Sequence, residues 1–524
     1  MRFGVLYGFI AIVALGLIAQ AYMTIKPALH VAVVSSIGIG LLLVSLREPQ
    51  RKAVGAPALF LAIVMPLIGW SLTNIWLLFA AMLVLVPLVA RQFHQIVPVY
   101  LFSMLLLPAL DMPVMIGGLK LVDISVHDAL AIGAAAAIWF NPRKARPLIQ
   151  YDVTACSVIL LLAAAFARET SFSNHVRSSL NVLIDLGLPY YIASRGIRSI
   201  DDLRAGVLWM GTGAMALAGI LIYELWRVWP VYNMLYGNYG LPSLLMVKAR
   251  GGYLRASGPF VEPTSVAMVL AICVLALWLS RHYFRSPRFH LLCMSVAIFG
   301  LFAPQSRGAW VGLLLAIGIA EAFKGNHARL ARKMIVLGIA GAGVLLVAQS
   351  SPKLSESLGL SGESTQTSDY RKMLFNRGVE EFVKRPILGA SVPQLLATMT
   401  DLRQGEGMVD FVNTYIWISL ISGIVGLIIF VGAFLFFMVM IWQRRRRLLA
   451  WTSAGEVATF LFACLAMVLE MLFFTSFGTR PAVFVFVIFG FSAALLEVFR
   501  KSEAGAPSLT AAVGQVGRVG AVAL

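Results

Sequence analysis

Residues 414–447 read TYIWISLISGIVGLIIFVGAFLFFMVMIWQRRRR, and this stretch decides the fold class. Residues 414–441 carry no charge, and they exceed the roughly 20 apolar residues that a helix needs to cross a bilayer. Four arginines, Arg444 to Arg447, follow at once. Such a basic run is typical of the cytoplasmic end of a transmembrane helix. The stretch therefore predicts a membrane-spanning α-helix, and the rest of the chain can be compared with it.

The composition of the whole chain agrees with this first stretch. Its 524 residues are 60% hydrophobic and 13% charged, whereas soluble proteins are about 45–50% apolar and about 25% charged. These values exclude a soluble enzyme, a disordered protein and a nucleic-acid-binding domain. The net charge of +18 then indicates cytoplasmic loops rich in Lys and Arg.

Sixteen apolar runs, several of only 15 or 16 residues, are separated by charges or by Pro and Gly. They cover residues 3–22, 28–46, 55–70, 73–90, 96–110, 126–140, 153–167, 179–194, 205–225, 263–280, 289–304, 308–323, 334–349, 414–441, 455–474 and 481–498. Because lipid offers no partner to an open strand edge, we predict an all-α polytopic membrane domain over residues 1–502. It has about 12–16 transmembrane helices, since the shorter runs suit partial spans.

Basic residues predict the orientation of these helices. If all sixteen runs cross, the basic residues of alternate loops fall on one side, which the positive-inside rule makes cytoplasmic. They lie at 47–52, 91, 143–146, 195–204, 281–288, 324–333, 444–447 and 500–501. The protein is then a multi-pass protein of the bacterial inner membrane with both termini in the cytoplasm. Residues 503–524, rich in Ala, Gly and Val, are predicted to form a mobile cytoplasmic tail.

Several residues inside or beside the apolar runs have two interpretations. Asp185 and Glu470 either relay protons or pair with a neighbouring helix. The aromatic run from Trp226 to Tyr239 either stacks sugar rings or forms an interfacial belt. The four cysteines, which have no metal-ligand spacing, are interpreted as small buried apolar residues. They are Cys156, Cys273, Cys293 and Cys464.

Two long loops, residues 226–262 and 350–413, fall on the other, periplasmic side. The first carries Arg250, Arg255, Gly258 and Glu262. Arginine offers a planar fork suited to phosphate, and glycine allows close approach of the backbone to a ligand. Arg307 lies between two apolar runs with almost no polar loop around it, and such a charge usually faces a polar cavity or an anion.

The second long loop adds more candidates for the same site. Residues 369–385 suit an amphipathic helix that carries Arg371 and Arg377 and ends at Pro386. Asp410, Asn413 and Tyr415 follow, immediately before the long apolar helix. Arginines on outer loops indicate a lipid-anchored substrate that bears phosphate. The outer loops contain no Asp-x-Asp pair, so a metal-held nucleotide donor is not expected.

In this order, these motifs resemble the O-antigen ligase/O-antigen polymerase (Wzy-type) family over residues 180–500. The elements are Arg255-x-x-Gly258 with Glu262-Pro263, Ser306-Arg307-Gly308, Arg371 to Arg377, Pro386-Ile-Leu-Gly389, Asn413-x-Tyr415 and Gly423-Ile-Val-Gly426. The resemblance implies a GT-C-like membrane glycosyltransferase. It takes an undecaprenyl-diphosphate-linked glycan as donor and needs no metal or other cofactor.

The resemblance also implies roles for individual residues. Arg255, Arg307 and Arg377 would hold the diphosphate with help from Arg371, supported by Arg250, Gly258, Asn413 and Tyr415. Family members often place a histidine one or three residues before the Asn, where this chain has Val412 and Asp410. Asp410 or Glu262 would therefore activate the acceptor hydroxyl.

This departure favours a polymerase of O-antigen or exopolysaccharide over a ligase that transfers glycan to lipid A-core. The expected partners are the lipid-linked donor, a glycan acceptor and membrane lipids, and a chain-length regulator is a further candidate; nucleic acid is not expected. A flippase for the same lipid-linked glycan remains an alternative, because it would also have many spans and buried charges. Transporters often show matching halves with broken helices, however, and no such repeat is visible in the sequence.

Overall fold

The computed structural model describes residues 2–117, 119–141, 150–168, 171–241, 247–250, 252–260, 262–350, 355, 364–403 and 409–505. These residues form an all-α membrane protein with two small β-hairpins. The first ten helices are α1 Arg2–Ser45, α2 Glu48–Ser71, α3 Ile75–Val89, α4 Ile96–Ser103, α5 Val126–Trp139, α6 Asp152–Phe166, α7 Phe172–Val182, α8 Leu188–Arg195, α9 Ile200–Arg227 and α10 Asn233–Asn238. The other ten are α11 Pro263–Leu279, α12 Pro287–Phe302, α13 Arg307–Lys324, α14 His327–Gln349, α15 Ser364–Lys384, α16 Val392–Thr398, α17 Thr414–Gln443, α18 Arg445–Ala450, α19 Thr452–Met471 and α20 Thr479–Gly505.

The remaining elements are short. The antiparallel hairpins pair β1 Met112–Ile116 with β2 Leu119–Ile124 and β3 Ala249–Arg250 with β4 Tyr253–Leu254. A π-helical turn, Leu183–Gly187, joins α7 to α8 without a break. Short 3₁₀ turns lie at Phe93–Gln95, Ser280–Tyr283 and Thr400–Leu402.

Within the described residues, seven helices are long and apolar enough to cross a membrane. They lie at Tyr22–Ser45, Glu48–Ser71, Ile200–Arg227, Pro263–Tyr283, Thr414–Gln443, Thr452–Met471 and Pro481–Glu503. Four shorter apolar helices, α3, α5, α6 and α12, accompany them. The sixteen apolar runs are therefore not sixteen full spans. The run at 96–110, for example, is helical only over Ile96–Ser103.

The first two apolar runs differ most from the prediction. They form one continuous helix, Arg2–Ser45, with Pro27 inside it, so the predicted hairpin between residues 22 and 28 is wrong. The short interruption around Lys26 and Pro27 contains no glycine, and the helix passes through it. Because the chain does not turn back there, the start of α1 points away from the end at which Ser45 lies.

The basic clusters nevertheless meet at one end of the bundle. The Arg47 Nε donates to the Phe284 carbonyl at 3.1 Å, and the Arg285 Nε donates to the Leu46 carbonyl at 2.9 Å. Arg445 donates to the Phe323 carbonyl, and Arg447 lies 2.8 Å from Glu503. We refer to this end as the basic end and to the opposite end as the outer end.

Other predictions have mixed outcomes. The amphipathic helix of the second long loop is present as α15 and ends at Lys384, just before Pro386. Cys273, Cys293 and Cys464 are buried, but Cys156 is exposed on the surface of α6, so its predicted burial is wrong. The last helix continues to Gly505, and the tail predicted beyond it, 506–524, lies outside the described residues.

The longest of the seven spans, α17, is broken at Gly423, nearer to its outer end. Gly423 takes φ +67° and ψ −165° there, a conformation that L-residues rarely adopt. The break frees backbone groups that residues 386–390 satisfy: the Ile424 N–H donates to the Pro386 carbonyl and the Ala390 N–H donates to the Leu420 carbonyl, both at 2.8 Å. Broken helices of this kind are found where membrane proteins bind substrates.

Candidate functional site

The first outer loop is fixed to α9 by a buried carboxylate. Glu224 accepts backbone hydrogen bonds from Val231 at 3.1 Å, from Ser257 at 3.2 Å and from Gly258 at 2.9 Å. Gly258 has φ +54°, and a Cβ there would lie 3.2 Å from Leu221. Gly258 therefore supports the site by allowing the loop to turn tightly against α9.

Two arginines of this loop bind the backbone that precedes α13. The Arg255 Nε donates to the Pro304 carbonyl at 3.1 Å, and Arg250 donates to the Gln305 carbonyl at 3.0 Å. The Ala256 N–H also donates to the Ala303 carbonyl at 3.2 Å. These contacts place both guanidinium groups beside the start of α13.

Arg307 is the first residue of α13 and is exposed at the outer end. The two glycines that follow bring α13 close to the outer end of α19. A Cβ at Gly308 would lie 3.0 Å from Phe474, and one at Gly312 would lie 2.7 Å from Glu470. The Ser306-Arg307-Gly308 motif therefore has a packing role as well as a charge.

Helix α15 brings Arg371 to the same place. The Arg371 guanidinium lies over the Phe474 ring at 5.7 Å. Burial lowers the pKa of Arg371, the charge of Arg307 lowers it further, and Asp410 opposes both effects. Arg307, Arg371 and Asp410 are thus electrostatic neighbours.

The pKa of Arg255 is affected by the same group of charges. Burial is the largest of the effects that bring this pKa down to about 10. The positive charges of Arg250, Arg371 and Arg307 also lower it, while Glu262 raises it. We refer to Arg250, Arg255, Arg307 and Arg371 as the arginine cluster. Four like charges that act on one another in a partly buried space create a strong site for an anion.

Arg377 does not join these four arginines. It lies 2.8 Å from Glu380, 3.3 Å from Glu381 and 3.6 Å from Asp401, and it donates to the Thr398 carbonyl at 3.2 Å. The hydrogen bond that Arg377 donates to the Glu380 carboxylate is the main reason that the pKa of Arg377 is raised. Arg371 and Arg377 are about two helical turns apart on α15. The three carboxylates nevertheless hold Arg377 beside the loop after α16, away from the cluster.

Asp410 is the acid that the fold brings closest to the cluster. Burial raises the pKa of its carboxyl to about 6, and the charge of Glu262 also raises it, while Lys248 and Arg371 lower it. Glu262 caps the start of α11, where it accepts a hydrogen bond from the Thr264 hydroxyl at 3.1 Å. Both predicted acids therefore lie at the cluster, and both are partly buried.

Tyr370 holds Asp410 in place, a role that the sequence analysis missed. Its hydroxyl accepts the Asp410 N–H at 3.1 Å and lies 3.1 Å from the carbonyl oxygen of the same residue. Tyr370 precedes Arg371 on α15, so one helical turn positions both an arginine of the cluster and the acid. Nothing in the spacing of residues 370 and 410 along the chain indicates this contact.

Asn413 and Tyr415 anchor the start of α17. The Asn413 side chain caps the helix by accepting the N–H groups of Tyr415 at 3.0 Å and Ile416 at 3.2 Å. The Tyr415 hydroxyl donates to the Leu469 carbonyl at 2.5 Å, and its ring lies 4.3 Å from that of Phe473. Both residues therefore support the loop that carries Asp410.

On its other side, Asp410 faces a cavity of about 320 Å³. Its wall contains four aromatic residues near the outer end, which are Phe166, Phe411, Trp417 and Phe477. We name this space the aromatic cavity. The aromatic run of the first outer loop does not line it, because Tyr232 and Tyr236 are buried and the Tyr232 hydroxyl donates to the Leu106 carbonyl at 2.8 Å. Tyr232 and Tyr236 therefore have a packing role, whereas Trp226 is 75% exposed.

Comparison with known families gives a match to the part of the chain that carries Arg307, Arg371 and Asp410. Residues 292–431 match the family model Wzy_C, described as O-antigen ligase. The matched region contains Arg307, Arg371 and Asp410, whereas Arg250 and Arg255 precede it. Comparison with curated proteins gave no match. The family match supports enzymes of the ligase or polymerase type, which take lipid-linked glycan and an acceptor. Over residues 292–431, the chain is therefore similar to the O-antigen ligase family.

Proposed function

We propose that this protein polymerises undecaprenyl-diphosphate-linked oligosaccharide repeat units into O-antigen or exopolysaccharide at the periplasmic face of the inner membrane. One observation carries the proposal. Asp410 interacts electrostatically with Arg371 of the arginine cluster, and it also lines the aromatic cavity. An anionic leaving group and a neutral acceptor would thus both meet this one base.

The proposed reaction is a single displacement. The acceptor hydroxyl attacks the anomeric carbon of the donor glycan, and the bond from that carbon to the diphosphate oxygen breaks. The hydroxyl proton passes to Asp410, and lipid diphosphate leaves. Attack from the side opposite the leaving group inverts the anomer.

The arginines contribute most when charge develops on the leaving diphosphate. Fixed donors that act on such charge in a partly dry site contribute strongly to catalysis. Arg255, Arg307 and Arg371 would supply these donors, and Arg250 would support them. Asp410, with a pKa near neutrality, is suited to accept the proton.

Ligase activity is the second candidate, because the matched family model is described as O-antigen ligase. The two reactions share the donor and differ in the acceptor. A polymerase extends one repeat unit with another, while a ligase transfers the glycan to lipid A-core or another acceptor. The Asp at 410 and the Val at 412, where family members often carry histidine, favour the polymerase.

The experiment supplies purified protein in lipid nanodiscs with lipid-linked repeat units, with and without lipid A-core. We expect a ladder of longer glycans from repeat units alone. Arg255→Ala and Arg307→Ala should lower the rate by about 100-fold, as removal of one charge-stabilising donor does. Arg329→Ala, at an exposed position of the basic end, is the matched control and should elongate normally.

Three results would contradict parts of this proposal. Normal ladders from both cluster variants would overturn the role of the arginines. Product only on lipid A-core would assign the ligase reaction. Transfer of unextended repeat units across a bilayer without any elongation would assign a flippase.

A further inference from the structure

A second cavity continues from the aromatic cavity. It has a volume of about 200 Å³ and lies beneath the β1–β2 hairpin. Its wall is polar and consists of Asp111, Asp123, Ser125, His127, Asp128, Asn181, Asp185 and Val483, of which Val483 is the one apolar member. We name it the acidic cavity.

Asp185 belongs to the walls of both cavities. It lies within the π-helical turn between α7 and α8. A π-helical turn inserts one extra residue into a helix, and such turns are frequent at functional sites. Asp185 therefore lies at the boundary that the two cavities share.

The aromatic cavity has the chemistry of a sugar site. The Trp417 ring lies 4.5 Å from Phe411 and 6.3 Å from Phe166, so flat aromatic faces form one side of the space. A sugar ring carries C–H bonds on its faces, which pack against aromatic rings, and hydroxyls at its edge. The carboxylates of Asp410 and Asp185 provide charged acceptors for these hydroxyls.

The acidic cavity has an ordered wall. The Asn181 side chain accepts the Asp123 N–H at 3.1 Å, and Asp123 lies 2.8 Å from Lys120. Asp128 accepts hydrogen bonds from the Ser125 N–H at 2.9 Å and its hydroxyl at 2.7 Å. These contacts hold the hairpin and the start of α5 in place around the cavity. The excess of carboxylates would repel an acidic sugar and admit a neutral one.

We propose that the aromatic and acidic cavities together bind the acceptor glycan and select uncharged, hydroxyl-rich sugars. The terminal sugar occupies the aromatic cavity, with its attacking hydroxyl at Asp410, and the next sugar passes Asp185 into the acidic cavity. The size of the aromatic cavity agrees with ligand pockets, which begin at about 300 Å³. This inference rests on the proposed function, because it names the acceptor side of the same site.

Binding is tested separately from elongation. The probe is the oligosaccharide released by mild acid from the lipid-linked repeat unit of the producing bacterium, measured by calorimetry against the full chain in nanodiscs. Asp185→Asn should weaken binding by at least about ten-fold, as loss of a hydrogen bond to a charged group does. Trp417→Leu should weaken binding by a similar factor, because it removes an aromatic face that packs against the sugar ring. Phe477→Leu provides a second aromatic variant if Trp417→Leu does not fold.

The matched controls change the same residue types elsewhere. Trp226→Leu alters a tryptophan that is 75% exposed, and Asp201→Asn alters an aspartate at the basic end whose side chain is 86% exposed. Both should bind the probe normally. Arg255→Ala should also bind it normally, since the probe lacks the diphosphate.

A chemically altered probe tests the selectivity. Oxidising the primary hydroxyls of the oligosaccharide to carboxylates should weaken binding to the wild type by at least about ten-fold. Asp185→Asn should bind the oxidised probe more tightly than the wild type does. Equal binding of both probes to the wild type would overturn the selectivity.

The two proposals fail in different ways. If the wild type elongates repeat units but Trp417→Leu, Phe477→Leu and Asp185→Asn bind the oligosaccharide normally, the acceptor site is wrong and the proposed function stands. Displacement of the oligosaccharide by undecaprenyl phosphate would assign the cavity to the lipid. If the wild type binds the oligosaccharide but transfers no glycan, the proposed function fails alone.

Discussion

Asp410 shows how a single side chain acquires a chemical role from its surroundings. An aspartate in water titrates near pH 3.9, but burial and the charge of Glu262 raise the pKa of Asp410 to about 6. Lys248 and Arg371 oppose that rise. A base is most effective when its pKa lies near the working pH, so burial and these three charges together tune the residue.

The rate of elongation should therefore depend on pH through Asp410. The base must be deprotonated, so kcat/KM should rise from acid pH and level off above about pH 6. Glu262→Gln removes a negative neighbour, which lowers the pKa of Asp410 and should shift the rise to lower pH. Lys248→Gln removes a positive neighbour and should shift it to higher pH. The pH profile of ladder formation measures both shifts.

Opposite shifts identify Asp410 as the base. Asp410→Asn should lower kcat by about 100-fold or more, the usual contribution of a general base. If Glu262→Gln instead abolishes elongation and Asp410→Asn leaves it intact, Glu262 is the base and the assignment of Asp410 is wrong.

At the scale of one element, the break in α17 decides where the site lies. Gly389 and Gly423 both have positive φ and cross so closely that a Cβ on either would overlap the opposite backbone. Arg168, at the end of α6, donates to the carbonyls of Leu388 at 3.0 Å, Ala390 at 3.3 Å and Ile421. These contacts hold the outer segment of α17, residues 414–422, against α6. This segment carries Trp417.

Replacing Gly423 with alanine should disrupt this crossing. A backbone with positive φ and ψ near 180° costs an L-residue about 1–3 kcal/mol, and overlap with the Ile387 carbonyl adds to that cost. We expect a lower Tm in detergent and a weaker ladder, because the half-helix beside Asp410 shifts. Thermal unfolding of the purified variant measures the first effect.

The same helix offers a matched control. A Cβ at Gly432 meets nothing within 4 Å, so Gly432→Ala should leave both Tm and elongation close to the wild type. A Gly423→Ala variant that matches Gly432→Ala in both measurements would show that the break does not depend on glycine.

At the scale of the whole molecule, charge divides the protein into two ends. Arginines at the basic end bind backbone carbonyls of neighbouring helices, as Arg47, Arg285 and Arg445 do. At the outer end, Arg250 and Arg255 also bind backbone carbonyls, but the charges of Arg250, Arg307 and Arg371 all act on Arg255. The first set suits the cytoplasmic side by the positive-inside rule, and the second suits an anionic substrate.

Labelling of introduced cysteines tests this orientation. In a Cys156→Ser background, a membrane-impermeant maleimide should label Asn376→Cys in spheroplasts, because that exposed position lies on α15 at the outer end. Arg329→Cys, at the basic end, should react only after the membrane is permeabilised. Labelling of Arg329→Cys in intact spheroplasts, with Asn376→Cys protected, would reverse the orientation.

The sequence by itself determined the features that depend on neighbouring residues. Apolar runs predicted the spans, the amphipathic pattern of residues 369–385 predicted α15, and Pro386 predicted its end. Charged residues are excluded from lipid, and this exclusion acts on each segment separately. It placed Arg255, Arg307 and Arg371 on the outer side. The same local reasoning failed at residues 3–46, where a proline between two apolar runs did not break the helix.

Only the tertiary structure decided which of these residues meet. Arg377 was predicted to join the cluster, but Glu380, Glu381 and Asp401 engage it elsewhere. Tyr370 contacts Asp410 across 40 positions, and Asp185 reaches the same cavity from a different helix. A cavity is the space that remains after distant helices pack, so its walls have no signature in any one segment. Packing therefore brings a set of outer charges beside a cavity, and we propose that these are the phosphate side and the sugar side of one site.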